Sequence, residues 1–271
     1  MTSGTMASNG QMLYYEVHGE GIPLLLLPGI GFDMALWGLH QIPAFSAEYQ
    51  VIAFDNRDAG RSSQATEAYT ISDMTEDAVG LLDGLEIDRA HVLGISMGGM
   101  IAQELALSHP ERVDRLVLVG TGAGTGRSKF DPIALWSFVK RHDPEGYAFA
   151  AQQMVWLFST DFLRNHQAVD EVLNLFGANP YPMSPEAYER QANAYVQHDA
   201  LDRAGGIRAP TLVLTGERDR LAPPWIGREL AEAIPGAAFH VLEGPGSSHA
   251  ALLERPDDFN SVVLSFLKRQ L

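Results

Sequence analysis

A chain of 271 residues with 46% hydrophobic content is long enough to bury a full core, as one large α/β domain or as a core carrying a smaller insertion. A formal net charge of −15 without any Lys/Arg-rich block argues against nucleic acid or an anionic membrane surface as partner, because phosphates require a cationic face. The absence of cysteine excludes disulfides, thiolate zinc sites and a cysteine nucleophile, and no apolar run approaches the ~20 residues of a membrane span.

Residues 1–10 are Ser/Thr/Gly-rich and lack the apolar segment of a secretory signal, so they are expected to form a flexible leader and the protein to be cytoplasmic. From about residue 11 strands and helices alternate, the pattern of a mostly parallel sheet covered on both faces. Gln11 to His18 reads as an early edge strand. Pro23-Leu24-Leu25-Leu26-Leu27 is a continuous apolar run, as expected of a strand buried on both sides, and it breaks at Pro28-Gly29-Ile30-Gly31. Two glycines there free backbone N–H groups to face a ligand, and a helix expected from near Met34 adds the positive end of its dipole. The same residues would also serve as a plain strand-to-helix turn.

Tyr49 to Phe54 reads as the next strand and runs into Asp55-Asn56-Arg57-Asp58-Ala59-Gly60-Arg61-Ser62-Ser63, a loop whose two Asp and two Arg are expected to satisfy one another. A helix is expected over Ile71 to Leu85, followed by a strand ending near Leu93. Arg115 to Val119 is another buried strand, leading into Gly120-Thr121-Gly122-Ala123-Gly124-Thr125-Gly126. That repeat lacks the lysine of a phosphate loop and the spacing of a dinucleotide fingerprint, so it reads as a hinge. Between Arg127 and Arg208 strand alternation gives way to helical segments rich in Trp136, Phe138, Tyr147, Phe149, Met154, Trp156, Phe158, Phe162, Phe176 and Tyr195. These mark an inserted helical cap over 127–208, most of the aromatics forming its core and a few lining an apolar cleft. Strand character resumes at Pro210 to Thr215, then come a loop to Pro224, a helix from Trp225 to Ile234, a strand from Ala238 to Leu242, a Gly/Pro/Ser loop to His249 and a helix from Asp257 to Lys268. The core then comprises 11–126 and 209–271.

Gly94-Ile95-Ser96-Met97-Gly98 lies where one strand ends and an amphipathic helix begins, running through Met100, Ile101, Leu105 and Leu107 to His109-Pro110. A serine between two glycines at such a junction fits a sharp strand-to-helix turn that exposes a nucleophilic hydroxyl. Serine is a poor nucleophile at neutral pH, so Ser96 needs a histidine base and an acid to orient it. Asp219 and His249 follow in chain order, each on a loop after a strand, with Glu217 and Glu243 as competing acids. Of nine histidines, His91 and His240 fall in strands, His109 ends a helix, and His142, His166 and His198 fall in the cap, leaving His249 as the best-placed base. A tetrahedral intermediate would also need oxyanion donors: the N–H of Met97 at a helix start, and one from the loop after the first buried strand, for which Ile30 is chosen over Gly31.

The span from about Leu13 to Leu267 resembles the α/β-hydrolase superfamily, and within it the carboxylesterase and enol-lactonase-like group. The resemblance rests on Gly94-Ile95-Ser96-Met97-Gly98-Gly99-Met100-Ile101-Ala102, His109-Pro110-Glu111-Arg112-Val113, Gly216-Glu217-Arg218-Asp219 and His249-Ala250-Ala251-Leu252-Leu253-Glu254-Arg255-Pro256. It implies an α/β-hydrolase fold with an inserted helical cap, Ser96 as nucleophile, Asp219 as acid, His249 as base and the N–H groups of Ile30 and Met97 as oxyanion hole. A small to medium hydrophobic ester or lactone is the implied substrate, with no metal or organic cofactor. Carbon–carbon bond hydrolysis and cofactor-free perhydrolysis use the same triad, and a ligand receptor of the same fold is a further alternative. Serine rather than aspartate at position 96 argues against haloalkane dehalogenases and epoxide hydrolases. Two positions depart from many relatives: Pro28 stands where they carry His, removing a side chain that often braces the oxyanion loop, and Asp58 stands where they carry Gly.

Overall fold

Leu24 to Leu27 are apolar without alternation because their strand has no solvent face. Leu25 and Leu27 point into one core layer with Ile52, Val92, Leu116 and Val213, while Leu24 and Leu26 point into another with Val51, Leu93, Val117 and Leu214. The computed structural model describes residues 1–124, 132–143 and 146–268. Thr125 and Gly126 of the expected hinge, the expected cap start at Arg127 and the side chain of Phe176 lie outside the described residues.

In chain order the elements are β1 (Thr2–Ser8), β2 (Gln11–His18), β3 (Ile22–Leu27), α1 (Gln41–Phe45), β4 (Tyr49–Phe54), α2 (Ile71–Gly84), β5 (Ala90–Ile95), α3 (Met97–Ser108) and β6 (Val113–Val119). Then come α4 (Pro132–His142), α5 (Tyr147–Leu157), α6 (Thr160–Leu163), α7 (His166–Gly177) and α8 (Pro185–Gln197). The chain closes with β7 (Thr211–Gly216), α9 (Pro224–Ala233), β8 (Ala238–Leu242), α10 (Ala251–Glu254) and α11 (Pro256–Leu267). The strands form one eight-stranded sheet in the order β1-β2-β4-β3-β5-β6-β7-β8. The β1–β2 and β2–β4 pairs are antiparallel and the rest parallel. Local signals agree with these elements: α2 starts at a reciprocal capping box in which the Thr70 hydroxyl accepts from Asp73 N and the Asp73 carboxylate accepts from Thr70 N. The helices α4 to α8 are inserted between β6 and β7. Among the described residues no helix is long and apolar enough to cross a membrane.

Two expectations are corrected. Residues 2–8 of the supposed flexible leader are the edge strand β1, paired with β2 from Thr2–Val17 to Ser8–Gln11, and β2 is therefore internal. The Ser8 hydroxyl donates to the Asp77 carbonyl of α2 at 3.0 Å and fastens that strand beneath the helix. The expected helix from Met34 is a single 3₁₀ turn, Met34–Trp37, capped by the Asp33 carboxylate. A turn that short aligns too few peptide dipoles to serve as a macrodipole. Deleting residues 1–9 is expected to lower the thermal midpoint by more than about 4 °C in calorimetry, since a strand and its seam against α2 are lost; a flexible leader would leave it unchanged.

Candidate active site

Ser96 adopts φ +54° and ψ −119°, a left-handed conformation that non-glycine residues rarely accept. Four hydrogen bonds hold it there: Ser96 N donates to Val119 O at 2.9 Å, and Ser96 O accepts from Gly99 N and the Thr121 hydroxyl, each at 2.9 Å, and from Met100 N at 3.3 Å. The flanking glycines are a steric requirement. A Cβ on Gly94 would lie 2.1 Å from Gly98 O, and one on Gly98 would lie 2.0 Å from Leu27 O. Only without side chains can α3 fold back across the ends of β5 and β3, and Ser96 is thereby lifted to the C-terminal edge of the sheet.

Asp219 follows β7 and is buried. Its Oδ1 accepts from Leu221 N at 2.9 Å and Ala222 N at 2.7 Å, and its Oδ2 lies 2.8 Å from Nδ1 of the buried His249. With Nδ1 donating to the carboxylate, Nε2 keeps its lone pair as an acceptor. The competing acids are elsewhere: Glu217 is exposed and accepts from Gly244 N, and Glu243 is exposed. Ser96 and His249 line the same two cavities, although no hydrogen bond joins the serine hydroxyl to the ring. Such bonds are often long in the unliganded state and tighten in the substrate complex.

The backbone after β3 turns sharply. Phe32 N donates to Gly29 O at 3.3 Å, and Gly31, third in the turn, has φ +77°, the signature of a type II turn. Gly31 N donates to Oε1 of Gln191 on α8 at 3.0 Å, so that N–H is already used. Ile30, not Gly31, therefore keeps its place as the candidate donor beside Met97 N, the first residue of α3. Gly29 approaches closely enough that a Cβ there would lie 3.4 Å from Ser96 Cβ.

Two cavities meet at Ser96, His249 and Leu221. The larger, about 320 Å³, is walled by Met100, Trp156, Tyr195, Arg220 and Trp225 among others. The smaller, about 40 Å³, is almost wholly apolar, with Gly29, Ile30, Trp136, Leu157, Phe158 and Leu252 in its walls. Of the aromatics expected to build the cap, Phe138 and Tyr147 are exposed, 61% and 75%, and do neither job. Among the described residues no group of three or more His, Asp or Glu is placed to hold a metal ion.

The loop after β4 satisfies its charges mainly against other elements, although the Asp55 carboxylate accepts from Arg61 N within the loop. Arg57 forks onto Asp77 of α2 at 2.6 and 2.7 Å, and Asp58 receives a fork from Arg190 of α8 at 2.7 and 2.9 Å together with the Tyr69 hydroxyl. Arg61 reaches Glu16. Asp55 accepts from Met34 N and Arg61 N, and burial still pushes its carboxyl up to about 6. Sequence reasoning did not find Arg190 or Gln191. The available signal was a glutamine on the buried stripe Tyr188-Gln191-Ala192 of α8, where an apolar residue was due.

This arrangement of a strained serine, a buried Asp–His pair and a glycine turn at the C-terminal edge of a mainly parallel sheet defines the class of hydrolases built on a nucleophile elbow. The alpha/beta hydrolase fold family profile matches residues 22–256, and the chain belongs to that family. It is 33% identical to a putative carbamate hydrolase RutD of Caulobacter sp. (strain K31), over 98% of both chains. It is 32% identical to the putative non-heme bromoperoxidase BpoC of Mycobacterium tuberculosis (strain ATCC 25618 / H37Rv), over 94% of this chain and 97% of that one. The crystal structure of the enol-lactonase from Burkholderia xenovorans LB400 superposes with a TM-score of 0.87 at 31% identity, covering 98% of this chain and all of the other.

Behind the elbow, Glu104 of α3 is buried and receives Arg203 at 2.8 Å and His198 at 3.1 Å, joining the exit of the helical insertion to the elbow helix. Burial opposes its charge, but the hydrogen bonds from Arg203 and His198 prevail and hold the carboxyl at about 2. A folded pKa below the unfolded value of 4.5 contributes stability that is present above pH 4.5 and lost as pH falls toward 2. Glu104→Gln is therefore expected to lower the urea midpoint at pH 7 and to flatten its decline between pH 4.5 and 2; an unchanged acid limb would refute the assignment.

Proposed function

We propose that the protein is a serine hydrolase acting on carboxylic esters or lactones through an acyl-enzyme. Ser96 Oγ attacks the carbonyl carbon while His249 Nε2 takes its proton, and Asp219 holds the ring and supports the charge it acquires. The N–H groups of Ile30 and Met97 receive the developing oxyanion, Met97 at the start of α3, where the helix dipole favours negative charge. Collapse of the tetrahedral species breaks the acyl C–O bond, and His249 returns the proton to the leaving alcohol. Water, deprotonated by the same ring, attacks the acyl group, and Ser96 leaves with the proton as the acid is released. The observation that carries this reading is the 2.8 Å bond from buried Asp219 to His249, whose ring shares both cavity walls with Ser96. The apolar walls of the smaller cavity favour a hydrophobic group on the substrate.

Likeness to a bromoperoxidase favours one second reading, perhydrolysis, in which hydrogen peroxide replaces water as acceptor of the acyl group. Product analysis with and without peroxide separates the two. For the primary reading, Ser96→Ala is expected to reduce kcat on p-nitrophenyl acetate by at least ~10³-fold, and Asp219→Asn by ~10²–10⁴-fold with little change in KM. A fluorophosphonate should add its mass to the Ser96 peptide alone. Undiminished ester hydrolysis by Ser96→Ala would sink the proposal.

A further inference from the structure

The turn that carries the candidate oxyanion donor is weakly closed by itself. Its own hydrogen bond, Phe32 N to Gly29 O, is long at 3.3 Å, and the preceding Pro28 has no side-chain donor or acceptor with which to brace it. The orientation of its central peptide, between Ile30 and Gly31, is the feature that separates a type II turn from a type I turn, and glycine at Gly31 permits either. That peptide's N–H donates to the side chain of Gln191, fully buried on α8. The same amide donates from Nε2 to Arg57 O at 3.0 Å, in the loop after β4, so both ends of the side chain are anchored on main chain. One residue earlier, Arg190 forks onto Asp58, and Tyr188 packs its ring against Gly31, where a Cβ would lie 2.8 Å from Tyr188 Cε2.

We propose that Gln191 is a positioning residue for the oxyanion hole: by accepting the Gly31 N–H it pins the Ile30–Gly31 peptide to α8 and so holds Ile30, whose own N–H lies on the adjoining Gly29–Ile30 peptide, in place beside Ser96. This rests on the hydrolytic reading above and adds to it that the helical insertion takes part in the chemical step as well as in enclosing substrate. The lock is distributed over two groups of one amide. Its acceptor sets the peptide orientation, and its donor keeps the side chain from rotating away. Oxyanion donors act within a narrow distance range of the developing charge, and outright removal of one costs ~10²–10³-fold in kcat, so loosening one is expected to cost about tenfold.

The test compares Gln191→Met, similar in volume but unable to accept from Gly31, with Gln191→Glu, which keeps an acceptor. Wild type and Ser96→Ala are assayed first on p-nitrophenyl acetate, and a boronic acid serves as tetrahedral mimic beside the product carboxylate as ground-state ligand. Gln191→Met is expected to lower kcat about tenfold and to weaken the boronic acid by a similar factor, with KM and product affinity within about threefold of wild type. Gln191→Glu, whose fully buried side chain as the neutral acid keeps an acceptor for Gly31 N and an O–H donor for Arg57 O, is expected to recover kcat to within about threefold of wild type. Unchanged kcat in Gln191→Met overturns the inference, as does an equal loss in kcat, product affinity and thermal midpoint in both variants, which would mark a purely structural residue. Ser96-independent or absent turnover in the wild type overturns the hydrolytic reading itself and this inference with it, whereas Ser96-dependent turnover indifferent to Gln191 overturns this inference alone. Should Gln191→Met fail to fold, amide hydrogen exchange at Gly31 decides through Gln191→Glu and wild type: strong protection in both supports the lock, and fast exchange in either overturns it.

Discussion

A serine held at φ +54° is strained by an amount on the order of 1–3 kcal/mol, and such a residue persists only where its surroundings leave no alternative. Here β5 delivers the chain at the sheet edge, the Val119 carbonyl takes Ser96 N, and α3 must begin at once because Gly98 is wedged against the end of β3. The strain thus has a geometric consequence. It sets the hydroxyl above the sheet, puts Met97 N at the start of a twelve-residue helix, and brings β3's glycine turn within van der Waals distance of the serine. The loops bearing Asp219 and His249 then need only to leave the neighbouring strands β7 and β8 on the same edge, which parallel topology ensures.

The helical insertion is fastened to this edge by charge as much as by apolar contact. Arg190 pairs with Asp58, Arg203 and His198 with Glu104, and the Glu254 carboxylate takes Ser159 N together with the Ser159 and Ser248 hydroxyls. Asp58 occupies a left-handed position, φ +70°, that suits glycine, and a carboxylate there receives Arg190, Tyr69 and Ala65 N. A charged group in such a place is tolerated because every oxygen is bonded. Its charge is matched by an arginine 132 residues away.

What was readable in the chain was whatever depends on local pattern or on fixed order. The apolar run Leu24–Leu27, the glycines around Ser96 and the placement of Asp219 and His249 just past strands each follow from a requirement that acts over a few residues. What was not readable depended on distant partners. Thr2–Ser8 has the small polar composition of a loose tail and becomes a strand only because β2 offers an open edge and α2 a seat for Ser8. Ile30 and Gly31 were close rivals because their neighbours in sequence are equivalent; the distinction comes from Gln191, 160 residues downstream of Gly31. The aromatics of the insertion could not be sorted either, since the same helical spacing serves a ring facing a cavity, such as Trp136, and one facing solvent, such as Phe138.

The two cavities divide these labours unequally. Ser96 and His249 belong to both, and the core supplies them from loops whose geometry is set by the sheet. The remaining walls mix core and insertion: Trp136, Leu157 and Phe158 close the small apolar space, while Pro132, Trp156 and Tyr195 face the large one. Substitutions in those insertion side chains reshape the cavities without touching the elbow. Helix α8 is the exception. Its Tyr188, Arg190 and Gln191 grip the turn after β3 and the loop after β4, so a change there bears on the backbone of both loops as well as on the shape of the space. Variation in α4 and α5 is accordingly free to reshape the cavities, whereas α8 is constrained by its bonds to the turn after β3 and the loop after β4.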